Sequence, residues 1–225
     1  MSGPRLQYRD FDCYQELTRE PVILESLVLA YQATFGGSEV WAETYSDAEV
    51  LQKLKDELAG RASLRVCVDP ANGKVVAFFW AQLCSAKDVL RAIATIKYSE
   101  SLATPDLLAN LQIAIGKREV IYVHDFGILE EYRGRIWLTH LIGPPLWEVA
   151  GRSGNGRVLF WSVPGTQVAA FARRAGFREV LVTSGMHFHL GEFSVWSPCD
   201  GMNLPWRKRR ERDGAITEGA IQPSP

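Results

Sequence analysis

No stretch of this 225-residue chain approaches the roughly 20 consecutive apolar residues that a bilayer-spanning helix needs, so no membrane span and no membrane partner are expected. The first residues, Met-Ser-Gly-Pro-Arg, reach the polar run Tyr8-Arg9-Asp10 without an apolar segment, which predicts no secretory signal. Cysteine is scarce and scattered: Cys13, Cys67, Cys84 and Cys199 form no C-x-x-C pair, and no histidine stands at zinc-finger spacing. A disulfide framework and a zinc ribbon are therefore not expected, and Cys67 and Cys84, inside apolar runs, read as buried reduced thiols. Charge of one sign is also missing. With Lys+Arg 25 against Asp+Glu 26 the net charge is −1, which gives no electrostatic reason to expect nucleic acid as a partner. These readings together place the chain in the cytoplasm.

What is present is an ordinary globular composition, 47% hydrophobic and 23% charged, at a length that buries a core without staples. Residues 22–35 carry apolar side chains at helical spacing and stop at Gly36-Gly37. Ser46 or Asp47 can cap a second helix over residues 48–58. Residues 64–68 and 74–83 flank Asp69-Pro70-Ala71-Asn72-Gly73 and predict an antiparallel hairpin. Residues 86–116 read as helix with a break at Ala103-Thr104-Pro105-Asp106. A β-branched and aromatic strand over 119–128 leads through Glu130-Glu131-Tyr132-Arg133-Gly134-Arg135 into a helix that Gly143-Pro144-Pro145 is expected to interrupt or kink. A strand at 157–163, a helix at 166–175 ending on Gly176, and strands near 179–183 and 186–196 complete the pattern. Residues 1–200 are expected to form one domain and 201–225 a flexible tail, because Arg207-Lys208-Arg209-Arg210-Glu211-Arg212 and the stretch after it contain no aromatic residue.

Three segments carry a family resemblance. Tyr122 to Arg135 is similar to the central strand and acyl-CoA loop of the GNAT superfamily of acyl-CoA-dependent N-acyltransferases. Residues 158–163 stand where that family has its next parallel strand, and residues 167–177 (QVAAFARRAGF) resemble its following helix with a terminal Gly-Phe. The resemblance covers about 60 residues and rests on their order and spacing. It implies an α/β fold with a mixed, mostly antiparallel sheet, a splayed central parallel pair and flanking helices. It also implies an acetyl or other acyl group moved from acyl-CoA, as co-substrate, to an amine acceptor, with a small-molecule primary amine as the leading reading. The alternatives are a GNAT-like binding module without catalysis, and a transferase using a longer acyl chain or an acyl carrier protein donor. Homodimerisation is left open.

A strand that feeds a glycine turn and a helix N-terminus gathers free backbone N–H groups and favours an anion. By resemblance that anion is the pyrophosphate of coenzyme A, held by Arg133, Gly134 and Arg135 and the N–H groups of Ile136 and Trp137. The family pattern has glycine where Ile136 stands and glycine or alanine where Leu138 stands. Phe126, Gly127 and Ile128 line the acyl slot, with the N–H of Gly127 or Ile128 polarising the thioester carbonyl. His124 is the leading candidate for the base, with Asp125 second and Tyr122 assisting through water. Period-two geometry places Tyr122, His124 and Phe126 on one face and Asp125 on the other. The family's tyrosine acid falls on Ala172. His187 and His189 share a strand face, but spacing supplies no third ligand, and no metal is expected. Trp41, Trp80, Trp137, Trp147 and Trp161 read as core or interface.

Overall fold

The computed structural model describes residues 6–36, 44–95, 104–183 and 185–192. The expected tail, the end of the strand beyond residue 192, and Trp41 and Cys199 lie outside the described residues. In chain order the elements are β1 (Gln7–Phe11), α1 (Tyr14–Thr18), α2 (Pro21–Gly36), α3 (Asp47–Glu57), β2 (Ala62–Asp69), β3 (Lys74–Cys84), α4 (Ala86–Ala94) and α5 (Pro105–Ile115). They continue with β4 (Val120–Ile128), α6 (Leu138–Ser153), β5 (Arg157–Ser162), α7 (Gln167–Arg174), β6 (Arg178–Thr183) and β7 (Met186–Glu192). Among the described residues no helix is long and apolar enough to cross a membrane.

Helix starts follow local chemistry. Ser46 closes a capping box with Glu49, Ser85 closes another with Asp88, and Thr104 accepts from the N–H of Leu107 with Pro105 in the first turn. The 69–73 turn is held by Asp69, whose carbonyl accepts from Asn72 and Gly73 and whose side chain accepts from Ala71. The sequence reading lacked β1 and α1. β1 has a mainly polar sequence, and only its Phe11 is buried, so the strand exists through its antiparallel pairing with β2.

The seven strands lie in the order β1-β2-β3-β4-β5-β7-β6. All neighbours are antiparallel except β4 and β5, which pair in parallel only at Ile121 with Val158 and Tyr122 with Leu159. Beyond that point β4 stays with β3 as far as Ile128 and β5 stays with β7 as far as Ser162, so the two central strands part. The sheet is the expected mixed one with a splayed parallel pair. On one face α2 and α3 bury Tyr31, Leu54 and Leu58 against Leu64, Phe78 and Trp80, and on the same face α4 and α5 cover Tyr122, Leu159 and Phe188. α6 packs on β2 and β3 from the other side.

Of the interruption or kink expected in α6, the interruption does not occur: the helix runs continuously from Leu138 through Pro144 and Pro145 to Ser153. Pro144 has no N–H to donate to the carbonyl of His140 one turn back. The Nη1 of Arg65, on β2, donates to that carbonyl at 2.8 Å instead, while the other end of the guanidinium pairs with Asp10. Arg65→Met is expected to destabilise the fold by about 1–3 kcal/mol by leaving that carbonyl unpaired, measured as a lowered urea midpoint.

Candidate functional site

The register of β4 against β3 shifts between Trp80 and Ala81. Trp80 faces Asp125 and Ala81 faces Val123, so His124 is an extra residue in β4. Such a bulge breaks the alternation of side chains. It overturns the period-two expectation: Asp125 joins Tyr122 and His124 on the α2–α3 face, and Phe126 goes to the opposite one. The contacts agree. The Asp125 carboxylate takes the Lys53 ammonium from α3 at 3.1 Å and the Tyr31 hydroxyl from α2 at 3.4 Å. The His124 ring meets the Tyr122 ring edge-on at 4.9 Å.

The same bulge gathers a buried charged cluster. Lys53 Nζ also lies 2.5 Å from Glu57 Oε1. Glu57 Oε2 accepts the indole N–H of Trp80 at 2.8 Å and lies 3.4 Å from His124 Nδ1, without hydrogen-bond geometry. His124 Nε2 lies 3.2 Å from Gln82 Oε1, and the amide nitrogen of Gln82 donates to the Ala59 carbonyl. That fixes Gln82 with its oxygen toward the ring, so Nε2 is the donor. Both ring nitrogens of His124 thus face protein groups, and its side chain is only 3% exposed, against 17% for Asp125.

Burial raises Asp125 to about 6; Lys53 pulls it down and Glu57 pushes it up. Burial would also raise Glu57, but Lys53 and His124 outweigh it and hold that carboxyl at about 2. Burial would lower Lys53, and the carboxylates of Asp125 and Glu57 reverse the effect, keeping it charged. Burial likewise keeps the Tyr122 hydroxyl protonated.

Where β5 leaves β4, the backbone of β4 is exposed to the gap. Leu129 N–H donates to the Val76 carbonyl, and successive strand residues turn their N–H groups to opposite sides. Gly127 therefore faces β3, while the N–H groups of Phe126 and Ile128 point to the side that β5 has vacated. Of the two residues expected to present an N–H to the gap, Ile128 does so, joined by Phe126, while the N–H of Gly127 points to β3. Gly127 is instead a close-packing position: a Cβ there would stand 2.5 Å from Phe78 and 2.8 Å from Thr34.

After β4 a short 3-10 turn, Glu130–Tyr132, leads to Gly134, whose φ of 78° is a left-handed conformation suited to glycine. Tyr132 is buried and donates its hydroxyl to Asp69 Oδ2 at 2.6 Å, and the Arg135 guanidinium lies over its ring at 4.9 Å. This clamps the loop to the β2–β3 turn. Trp137 is the N-cap of α6, and no acceptor among the described residues takes the N–H groups of Gly134, Ile136, Trp137, Leu138 or Thr139. Ile136 turns its side chain into the core, so its branched carbon does not cover its own N–H. Arg133, Gly134 and Arg135 are exposed beside these donors. Trp137, expected in a core or interface, is 72% exposed.

The remaining sequence candidates sit apart from the bulge cluster. His189 is buried with its Nε2 2.8 Å from Ser162 Oγ, and His187 Nδ1 lies 2.6 Å from Glu179. Ala172 is fully buried. Lys53, Glu57, Trp80 and Gln82 were missing from the sequence-based candidates. Glu57 could have been found, because it falls seven residues after Val50 and three after Leu54, on the inward stripe of α3.

No protein-family model and no curated protein matches the chain. Solved structures do. NAA60 from Arabidopsis thaliana, crystallised with acetyl-CoA, is 16% identical, with a TM-score of 0.51 over 84% of this chain and 99% of that one. A polyamine N-acetyltransferase from Drosophila melanogaster is 16% identical, with a TM-score of 0.52 over 84% of this chain and 100% of that one. The PaiA N-acetyltransferase from Thermoplasma acidophilum, crystallised with coenzyme A, is 10% identical, with a TM-score of 0.52 over 84% and 99%. At these identities the likeness establishes the fold, which is that of the GNAT acetyltransferases.

Proposed function

We propose that this chain, built on the GNAT fold, is an N-acyltransferase that moves an acetyl or other acyl group from acyl-CoA to a primary amine of a small molecule. The observation that carries the reading is the conjunction of two features on one strand. β4 turns unpaired N–H groups into the gap left by β5, and it ends in a loop whose N–H groups and arginines suit a pyrophosphate. The neighbours crystallised with acetyl-CoA or coenzyme A support acyl-CoA as the donor.

The residues divide the work as follows. Arg133, Arg135 and the N–H groups of Gly134, Ile136, Trp137, Leu138 and Thr139 hold the pyrophosphate. The N–H of Phe126 or Ile128 donates to the thioester oxygen as negative charge develops there, an effect strengthened by a fixed, water-poor setting. Asp125 takes the proton of the attacking amine, the amine forms the amide bond, and the C–S bond breaks to release the thiolate. His124 and Tyr122 shape the cluster around Asp125 rather than receive the proton, because both are buried beneath it and Asp125 is the more exposed to an incoming amine. Ala172 offers no acid to the thiolate, which with an ordinary thiol pKa of about 8.5 leaves without one.

Calorimetric titration with acetyl-CoA, free CoA and a longer acyl-CoA tests the reading. Micromolar binding that collapses in Arg133→Glu, followed by turnover in an amine screen, is the expected result. No binding of any of the three at millimolar ligand sinks the proposal. Tyr132→Phe removes the bond to Asp69 that clamps the loop, and is expected to weaken acetyl-CoA binding by roughly tenfold at most in the same titration.

A further inference from the structure

Burying ionisable groups is costly, and a buried ion pair is seldom more stabilising than apolar side chains of the same volume. The β4 bulge nevertheless collects two carboxylates, an ammonium and an imidazole under α2 and α3. Two of these groups come from one turn of one helix. Lys53 and Glu57 are four residues apart on α3 and both turn inward, Lys53 Nζ standing between the carboxylates at 2.5 Å from Glu57 and 3.1 Å from Asp125. Glu57 is itself fixed by the Trp80 indole N–H. Among the described residues, the ionisable groups around Asp125 are Tyr31 from α2, Lys53 and Glu57 from α3, and Tyr122 and His124 from β4 itself. Only one of them, Lys53, carries a permanent positive charge, and only one, Glu57, is a second carboxylate. We propose, on the acyltransferase reading, that Lys53 and Glu57 are positioning residues that act in opposition on Asp125, the ammonium favouring its ionised form and the carboxylate its protonated form, so that α3 sets the proton affinity of the base.

The arrangement makes a prediction that a purely structural ion pair does not share. Removing one partner moves the titration of Asp125 one way and removing the other moves it the opposite way, although either substitution loosens the same packing. An opposite charge at this distance shifts a carboxyl by about 1–3 pH units. A repulsive carboxylate held at the far side of the ammonium acts with the other sign.

The experiment is a carboxyl-carbon NMR titration of the full chain labelled at aspartate, with no ligand present and with the Asp125 signal assigned from Asp125→Asn. Lys53→Met is expected to move the Asp125 midpoint up by about 1–3 units, Glu57→Gln to move it down, and Lys53→Arg to leave it in place. The acid limb of kcat/KM against pH should move with each midpoint. Midpoints that stay put, or that move in the same direction in both charge-removing variants, overturn the proposal. If Lys53→Met does not fold by circular dichroism, Glu57→Gln decides alone: a lower midpoint supports the proposal, and an unmoved or raised one refutes it. A failure of the acyltransferase reading is seen separately, as opposed NMR shifts in a protein that binds no acyl-CoA.

Discussion

Asp125→Asn is expected to lower the rate of amine acylation by about 100- to 10,000-fold, the usual contribution of a positioned base, while acyl-CoA binds as before. The asparagine oxygen can still accept from Lys53 at the place where Asp125 Oδ2 now does, so the cluster keeps its shape and loses only the proton acceptor. The donor loop is formed by other residues, which is why affinity and turnover separate. The pH dependence has a defined sign. Burial raises Asp125 to about 6, and only the ionised form can take a proton, so on the proposed mechanism activity is expected above that pH and to fall about tenfold per unit below it. Rates and calorimetric affinities measured on the same preparation check both parts. Retained turnover in Asp125→Asn would hand the role of base to another group, and His124 would then have to break its contact with Gln82 or turn away from Glu57 to act.

Gly127→Ala is expected to destabilise the chain by about 1–3 kcal/mol, the cost of forcing an extra carbon into a filled core. The added Cβ would meet Phe78 of β3 at 2.5 Å and Thr34 of α2 at 2.8 Å, contacts that only a shift of the helix or the strand relieves. Phe78 is completely buried and stacks with Tyr31 at 5.8 Å, so the ring has nowhere to retreat. In thermal melts each kcal/mol lowers the midpoint by about 2–4 °C for a domain of this size. Gly134→Ala is the informative contrast. Nothing lies within 4 Å of where a Cβ at Gly134 would stand, and its cost comes from the left-handed backbone alone, about 1–2 kcal/mol. A Gly127→Ala protein as stable as the wild type would mean that α2 is not seated on β4 as described.

Local chemistry made much of this fold readable in advance. The Asp69–Gly73 turn, the caps at Ser46 and Thr104 and the β-branched run of β4 each act through neighbours in sequence, and each appears where the residues call for it. The glycine turn at Gly134 belongs to the same class. What escaped depends on partners far along the chain. β1 is a strand because β2 lies beside it, since its own residues alternate too weakly to announce it. The bulge at His124 arises from the fit of β4 on β3, and nothing within residues 120–128 marks the extra residue. The face assignment of Asp125 failed for that reason. Glu57 at least stands on the inward stripe of α3, but nothing marks Lys53, because an i, i+4 pair reads the same whether it faces water or a buried carboxylate.

The arginine that completes α6 has a consequence for how the chain reaches its native state. Pro144 and Pro145 deprive the helix of two of its own donors, and the carbonyl of His140 is satisfied by Arg65, seventy-five positions earlier in the sequence. A segment that must borrow a donor from a distant strand gains little by coiling early, and short helices are marginal in water even with every internal bond in place. The hairpin of β2 and β3 is a local structure that needs no such help. The expected order of assembly is the hairpin first and α6 after it, so the loop that leads into α6 would settle only once the sheet beneath it exists.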